Sequence, residues 1–235
     1  MAIGRSFSVG IDIGTNQVKV IVAESAESWS ARKNEQLARA GGGAAADRNA
    51  ESASQDRRSR PSDNLPRVIG GGIAETRGMR HGYITNLKET VKSIKTAVAQ
   101  AEKSAGVSIK RAYVSISGVG LGAIISTASV NTTKADAEIT DLDVKRAIEE
   151  SEKELPNQYI QNRKIVHTIP LEYKIDGKKV LGKPQGLKGL RLEARVLYMT
   201  CLAHHLNDIL LACEEADIEI QDVIAGPMAS SFVTL

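Results

Sequence analysis

Asp12-Ile13-Gly14-Thr15-Asn16-Gln17-Val18-Lys19 sits between two runs of alternating apolar residues, Phe7, Val9, Ile11 and Ile13 before it and Val18, Val20 and Val22 after it. Period-two alternation is the mark of half-buried strands, so the segment Phe7 to Glu24 predicts a β-hairpin whose bend is Gly14 to Gln17. The bend carries the densest chemistry in the chain. Gly14 has no side chain to obstruct an incoming polyphosphate, and the backbone N–H groups of Gly14, Thr15 and Asn16 can converge on phosphate oxygens as an anion-binding nest. Asp12 can face a Mg²⁺ ion through water, because that ion keeps much of its hydration and prefers carboxylate oxygen. Thr15 adds a hydroxyl and Lys19 a positive charge. The same eight residues also fit an ordinary hairpin whose glycine only eases the turn.

Outward from the hairpin, the next forty residues change character. Gly41-Gly42-Gly43-Ala44-Ala45-Ala46 and Gln55-Asp56-Arg57-Arg58-Ser59-Arg60-Pro61-Ser62 offer few large apolar groups to offset the entropy of ordering, which predicts a disordered insertion over 28–64. Trp29, the only tryptophan, reads as a solvated outlier or a peptide anchor. Leu65 to Ala74 supplies a third, glycine-rich strand. Asn86 and Glu89 have capping-box spacing, and Leu87, Val91, Ile94, Val98, Ala101 and Ala105 follow at helical spacing until Gly106. Strands are expected at 111–118 and 120–130, and a helix opened by Thr140 and Asp143 ends before Pro156. A β-rich stretch follows: 164–169, then 171–175 and 178–181 joined by the turn dipeptide Asp176-Gly177, then 191–201. A helix through Leu206, Ile209, Leu210, Cys213 and Ala216, a strand at 218–225 and a helix from Pro227 complete the pattern.

Composition narrows the function. The chain is 42% apolar and carries a net charge of +3, of which the segment 31–66 supplies two through seven basic and five acidic residues. Aromatics make up 3% and are scattered, so the expected partners do not include nucleic acid. No run approaches the ~18 apolar residues of a membrane span, and Met1 to Ser6 lacks a secretory core, so the expectation is a cytoplasmic protein. Cys201 and Cys213 have neither CxxC spacing nor a matching histidine pair and read as buried thiols. His204 and His205 are adjacent on a helix, about 100° apart, and cannot share a metal face. His167 reads as a satisfied strand histidine. Glu172, Asp176, Arg191 and Glu193 read as surface charges.

The strand, turn, strand, strand, helix order with Asp-x-Gly-Thr at the first bend resembles the opening of the actin, sugar-kinase and Hsp70 superfamily. Three further blocks resemble the bacterial cell-division family FtsA. They are Gly72 to Ile84 with its Arg77-Gly78-Met79 and Gly82-Tyr83-Ile84, Ala112 to Gly118, and His167 to Gly177 continued by Pro184, Gly186-Leu187 and Gly189 to Ala194. The resemblance implies an α/β (α+β) fold: an actin-like, ribonuclease-H-like nucleotide-cradle subdomain over 1–83 and 164–235, with an inserted strand-helix-strand-strand subdomain over 84–163. It implies that the chain corresponds to the family's first half and is cut short at Leu235, within the helix that joins the two halves.

Function follows from the same resemblance as expectation. The family is an ATP-binding, actin-like polymer protein that tethers the FtsZ ring to the membrane during septum assembly and recruits later division proteins. Phosphate contacts would come from Asp12, Gly14, Thr15, Asn16 and Lys19, with Mg²⁺ held through water at Asp12 and no catalytic residue. The second phosphate loop, the FtsZ-binding surface and the C-terminal amphipathic membrane helix would lie outside this chain, so its affinity for ATP should be weak or absent. The implied location is cytoplasmic, peripheral on the inner face of the membrane at the division site. Alternatives are a type IV pilus assembly protein of the PilM kind and a kinase of the same superfamily.

Overall fold

The computed structural model describes residues 6–31, 65–118 and 120–234, which form two compact units, each treated by itself. The first unit comprises residues up to 77, 88–114 and 212–222. Its sheet has the strand order β11-β6-β1-β2-β3. β1 (Phe7–Ile13) and β2 (Gln17–Glu24) are the predicted hairpin, antiparallel from Phe7 opposite Glu24 to Ile13 opposite Val18. Val9, Ile11, Ile13, Val18, Val20 and Val22 are all buried on one face, so the alternation read from the sequence is the core pattern. β3 (Arg67–Glu75) pairs antiparallel with β2.

Residues 26–31 are helical (α1), where an insertion lacking order was expected from residue 28; residues 32–64 lie outside the described part. The reason is local bonding. Glu24 is fully buried at the end of β2 and accepts a hydrogen bond from Ser28 Oγ at 2.9 Å, while the Trp29 N–H donates to the Ser25 carbonyl at 3.1 Å. Trp29 is not a solvated outlier: it is half-buried, and the Arg67 guanidinium lies 5.1 Å from its ring centroid.

Helix α2 (Leu87–Ala105) belongs to this first unit almost entirely, not to the expected inserted subdomain 84–163. Glycines decide the matter. A Cβ at Gly72 would overlap the Ala97 carbonyl oxygen, and one at Gly70 would sit 2.5 Å from the Ala105 nitrogen, so the helix backbone lies flush on β3 where no other residue type fits. Ile94, Ala97 and Ala101 are fully buried in that contact layer. Gly106, at φ +68°, ends the helix as predicted.

The second unit comprises residues 78–87, 115–211 and 223–235. It carries the two-residue strands β4 (Met79–Arg80) and β5 (Tyr83–Ile84) and an antiparallel sheet of order β7-β10-β8-β9. Here β7 is Leu121–Asn131, β8 Arg163–Ile175, β9 Lys178–Val180 and β10 Arg191–Leu202. The chain passes between the units within β6 (Arg111–Ile116), α5 (Ala203–Glu215) and β11 (Glu219–Ala225). A single β8 replaces the two strands expected around Pro170. The register slips between Arg195 and Val196, leaving Leu171 as an unpaired extra residue beside the proline, and the strand continues through the bulge.

Helix α3 (Asp141–Lys153) packs on β7 and β10, followed by the single turn α4 (Asn157–Ile160). Its start is the predicted capping box: the Thr140 hydroxyl accepts from the Asp143 N–H at 3.2 Å, and the Asp143 carboxylate accepts from the Thr140 N–H at 2.9 Å. Beneath it lie Val130, Ile139, Val144, Ala147, Leu192, Val196 and Tyr198. The Asp176-Gly177 turn has φ +49° and +79°, the double left-handed bend its composition predicts. Helix α6 spans Gly226–Thr234, as expected from Pro227. Thus the module with its own core is β7, α3 and β8 to β10, later in the chain than the expected 84–163.

Candidate functional site

Gly14, half-buried, and Thr15 and Asn16, exposed, form the bend at the end of the β1–β2 hairpin, with Asp12 directly opposite Lys19 in the strand register. Alternation places both on the sheet face opposite Ile13 and Val18. Asp12 is half-buried and Lys19 exposed. All five expected site residues are therefore brought together within one turn and its flanking rungs.

One part of the expectation is corrected. The Gly14 N–H does not join a phosphate nest; it donates to the Gln17 carbonyl at 3.1 Å and closes the turn. What Gly14 still supplies is the absence of a side chain, since a Cβ there would lie 3.1 Å from that same carbonyl oxygen. A residue not singled out from sequence braces the bend. Thr76, just past β3, donates its hydroxyl to the Gly14 carbonyl at 2.7 Å and its N–H to the Asn16 carbonyl at 2.9 Å. Only the antiparallel register of β3 on β2, with Glu75 opposite Gln17, brings Thr76 to this place. No local sequence signal marks it.

The donor set fits a hydrated cation. A single carboxylate at Asp12 suits Mg²⁺ that keeps most of its waters. Among the described residues no group of three or more His, Cys, Asp or Glu could form a protein cage for a metal. The cysteines are the buried thiols expected, and burial pushes Cys213 up to about 12. His167 is satisfied, its Nε2 accepting the Ala225 N–H at 3.0 Å. Glu172 and Glu193 pair with Lys179 and Lys174 at 2.7 Å each, and Asp176 accepts the N–H groups of Leu190 and Arg191. These charged groups are structural.

Among solved structures, the PilM-PilN type IV pilus biogenesis complex matches over 97% of this chain and 50% of its own, with a TM-score of 0.56 at 12% identity. The fold is thus the actin-like α/β one, here carrying a second antiparallel module. Residues 120–200 match the SHS2 domain inserted in FTSA, which is that module. Cell division protein FtsA of Streptococcus pneumoniae is 30% identical over 225 residues, covering 96% of this chain and 41% of its own. Its counterparts in Borreliella burgdorferi and Bacillus subtilis are each 27% identical over 98% and 97% of this chain. The chain belongs to the FtsA family of cell-division proteins. It spans 41%, 47% and 43% of the lengths of these relatives.

Proposed function

We propose that this chain carries the first phosphate loop of an FtsA-type division scaffold, binding ATP with Mg²⁺ for assembly and not for rapid turnover. The observation that carries the reading is the bend Gly14 to Asn16, with Thr15 and Asn16 exposed and the turn pinned by Thr76. Thr15 and Asn16 would meet phosphate oxygens, Lys19 would balance their charge, and Asp12 would hold water on the metal. In the complete protein a second lobe would close over the nucleotide, and assembly would place the scaffold on the inner membrane face, tethering FtsZ and recruiting later division proteins. Among the described residues no helix is long and apolar enough to cross a membrane.

The test is calorimetric titration of Mg-ATP into the full-length protein and its Gly14→Val variant, with melting curves as a check on folding. The valine would occupy the phosphate position, and affinity should fall at least about tenfold. Unchanged affinity in a folded variant overturns the site. A pilus-assembly role of the PilM kind is the second reading, favoured by the shared fold alone, whereas the FtsA relatives share more than twice that identity.

A further inference from the structure

Helix α2 carries its cations on one side. Lys88, Lys92, Lys95 and Lys103 are all exposed, and at about 100° per residue they fall within about 80° of one another, on the face opposite buried Ile94, Ala97 and Ala101. At about 1.5 Å per residue the stripe runs for about 22 Å. Lys88 and Lys92 are four residues apart and Lys92 and Lys95 three apart, spacings at which like charges weaken a helix. Lys88 also lies in the first turn, where the helix dipole disfavours a cation. Local choices that work against their own helix point to a use outside it.

Acidic groups do not quench the stripe. Among the described residues Lys88, Lys92 and Lys103 have no carboxylate partner, while Lys95 pairs with Asp217 at 2.9 Å. Asp217 also lies in the field of exposed Lys110, so five lysines less one aspartate leave this patch at +4. Glu102 is half-buried and accepts the Ile109 N–H at 2.7 Å, and Glu89 lies toward β3, in a groove it shares with Ile73 and Glu75. At the middle of the stripe the small side chain of Ala99 leaves a shallow hollow of about 640 Å³ rimmed by Lys88, Lys92, Lys95 and Lys103.

We propose that this face of α2 docks on the anionic headgroups of a lipid bilayer. The side chains select that occupant. Lysine is a compact charge on a flexible stem, suited to a diffuse field of phosphates, whereas bidentate or stacked recognition calls for arginine. A protein partner would be anchored by aromatic or arginine side chains and a nucleic acid by stacking aromatics, and α2 contains neither residue type. The proposal rests on the reading of a scaffold placed at the inner membrane face and deepens it, by assigning a lipid contact to this chain. It does not rest on the phosphate bend.

Co-sedimentation of the 235-residue chain, without nucleotide, with vesicles of phosphatidylcholine alone and of phosphatidylcholine mixed with phosphatidylglycerol tests the proposal. Binding is expected only to the anionic vesicles and should fall as salt is raised. Lys92→Gln with Lys103→Gln should weaken it about thirtyfold, each lysine at the surface contributing about fivefold, and glutamine preserves the helix. Lys178→Gln with Lys183→Gln, at exposed positions of the second unit, removes the same charge and should leave binding unchanged. A chain that ignores anionic vesicles overturns the proposal, and one that instead binds polyglutamate makes the face a protein-docking surface. Wild-type binding by the helix pair, with the fold intact by circular dichroism, overturns the site while leaving membrane placement standing. Equal weakening by both pairs overturns it too, since net charge alone would then act.

Discussion

Replacing Asp143 by asparagine probes a fully covered carboxylate at the start of α3. Its side chain has no exposed area and accepts four hydrogen bonds. One oxygen takes the Thr133 N–H and hydroxyl at 3.1 and 2.9 Å, the other the Thr140 N–H and hydroxyl at 2.9 and 2.7 Å. Asparagine keeps the shape but turns one oxygen into a donor, so whichever way it faces, an NH₂ group confronts a backbone N–H. That leaves a covered donor unsatisfied, at about 1–3 kcal/mol, and the surviving bonds lose their charge assistance, about 1 kcal/mol more. We expect urea unfolding at neutral pH to show Asp143→Asn less stable by about 2–4 kcal/mol, with faster hydrogen exchange at the Val144 amide of the first turn.

The pH dependence supplies the second half of that test. Burial raises the Asp143 carboxyl, but the bonds from Thr140 and Thr133 outweigh it and hold the group below the ordinary 3.8. A lowered folded value means the unfolded chain binds the proton first, so the stabilisation is complete above about pH 4 and is lost as pH falls through the folded value. The gap between wild type and variant should therefore shrink in acid. A gap that is absent at neutral pH, or that widens on acidification, refutes the reasoning.

Gly72→Ala should destabilise the first unit by about 2–3 kcal/mol in urea unfolding, because the added methyl meets helix backbone on α2 and no rotamer relieves it; Gly71→Ala, 3.2 Å from the Val20 carbonyl, should cost clearly less. His205 is 2% exposed, neither ring nitrogen has a hydrogen-bond partner among the described residues, and burial, reinforced by His204, holds it below the usual 6.5, an effect the Asp208 carboxylate only partly offsets. Its neighbours are Tyr83, His204, Cys201 and Asp208. The unfolded chain thus takes a proton that the folded one resists, so melting temperature should fall as pH drops below about 6.5, and His205→Phe should flatten that decline. Equal pH profiles for the two would count against it.

What the sequence revealed was local chemistry. Alternation over Phe7 to Glu24, the Thr140–Asp143 capping box and the Asp176-Gly177 turn are written in neighbouring residues, and each element formed where it was read. What it concealed was which sheet a helix serves. Gly70 and Gly72 read as weakening a strand, whereas their missing side chains admit α2 against β3, and that contact moved the helix out of the expected inserted subdomain. The module's true extent, 120–200, depends on β10 pairing on both sides, with β7 about seventy residues away and β8 about thirty. No window of local periodicity contains that information.

The bend at Gly14 shows the same division within a single turn. The turn itself was legible from the alternation on either side of it, Ile13 opposite Val18, but the state of the turn's own bonds was not. With the Gly14 N–H closing the bend onto Gln17 and Thr76 holding the Gly14 and Asn16 carbonyls, three main-chain groups are already committed before any ligand arrives. Such a bend contributes to affinity by being ordered in advance, since the entropy of fixing it is not charged to binding. It contributes less as a source of donors. On the proposed reading, the attraction for a nucleotide would come mainly from Lys19 and from the metal that Asp12 would hold through water.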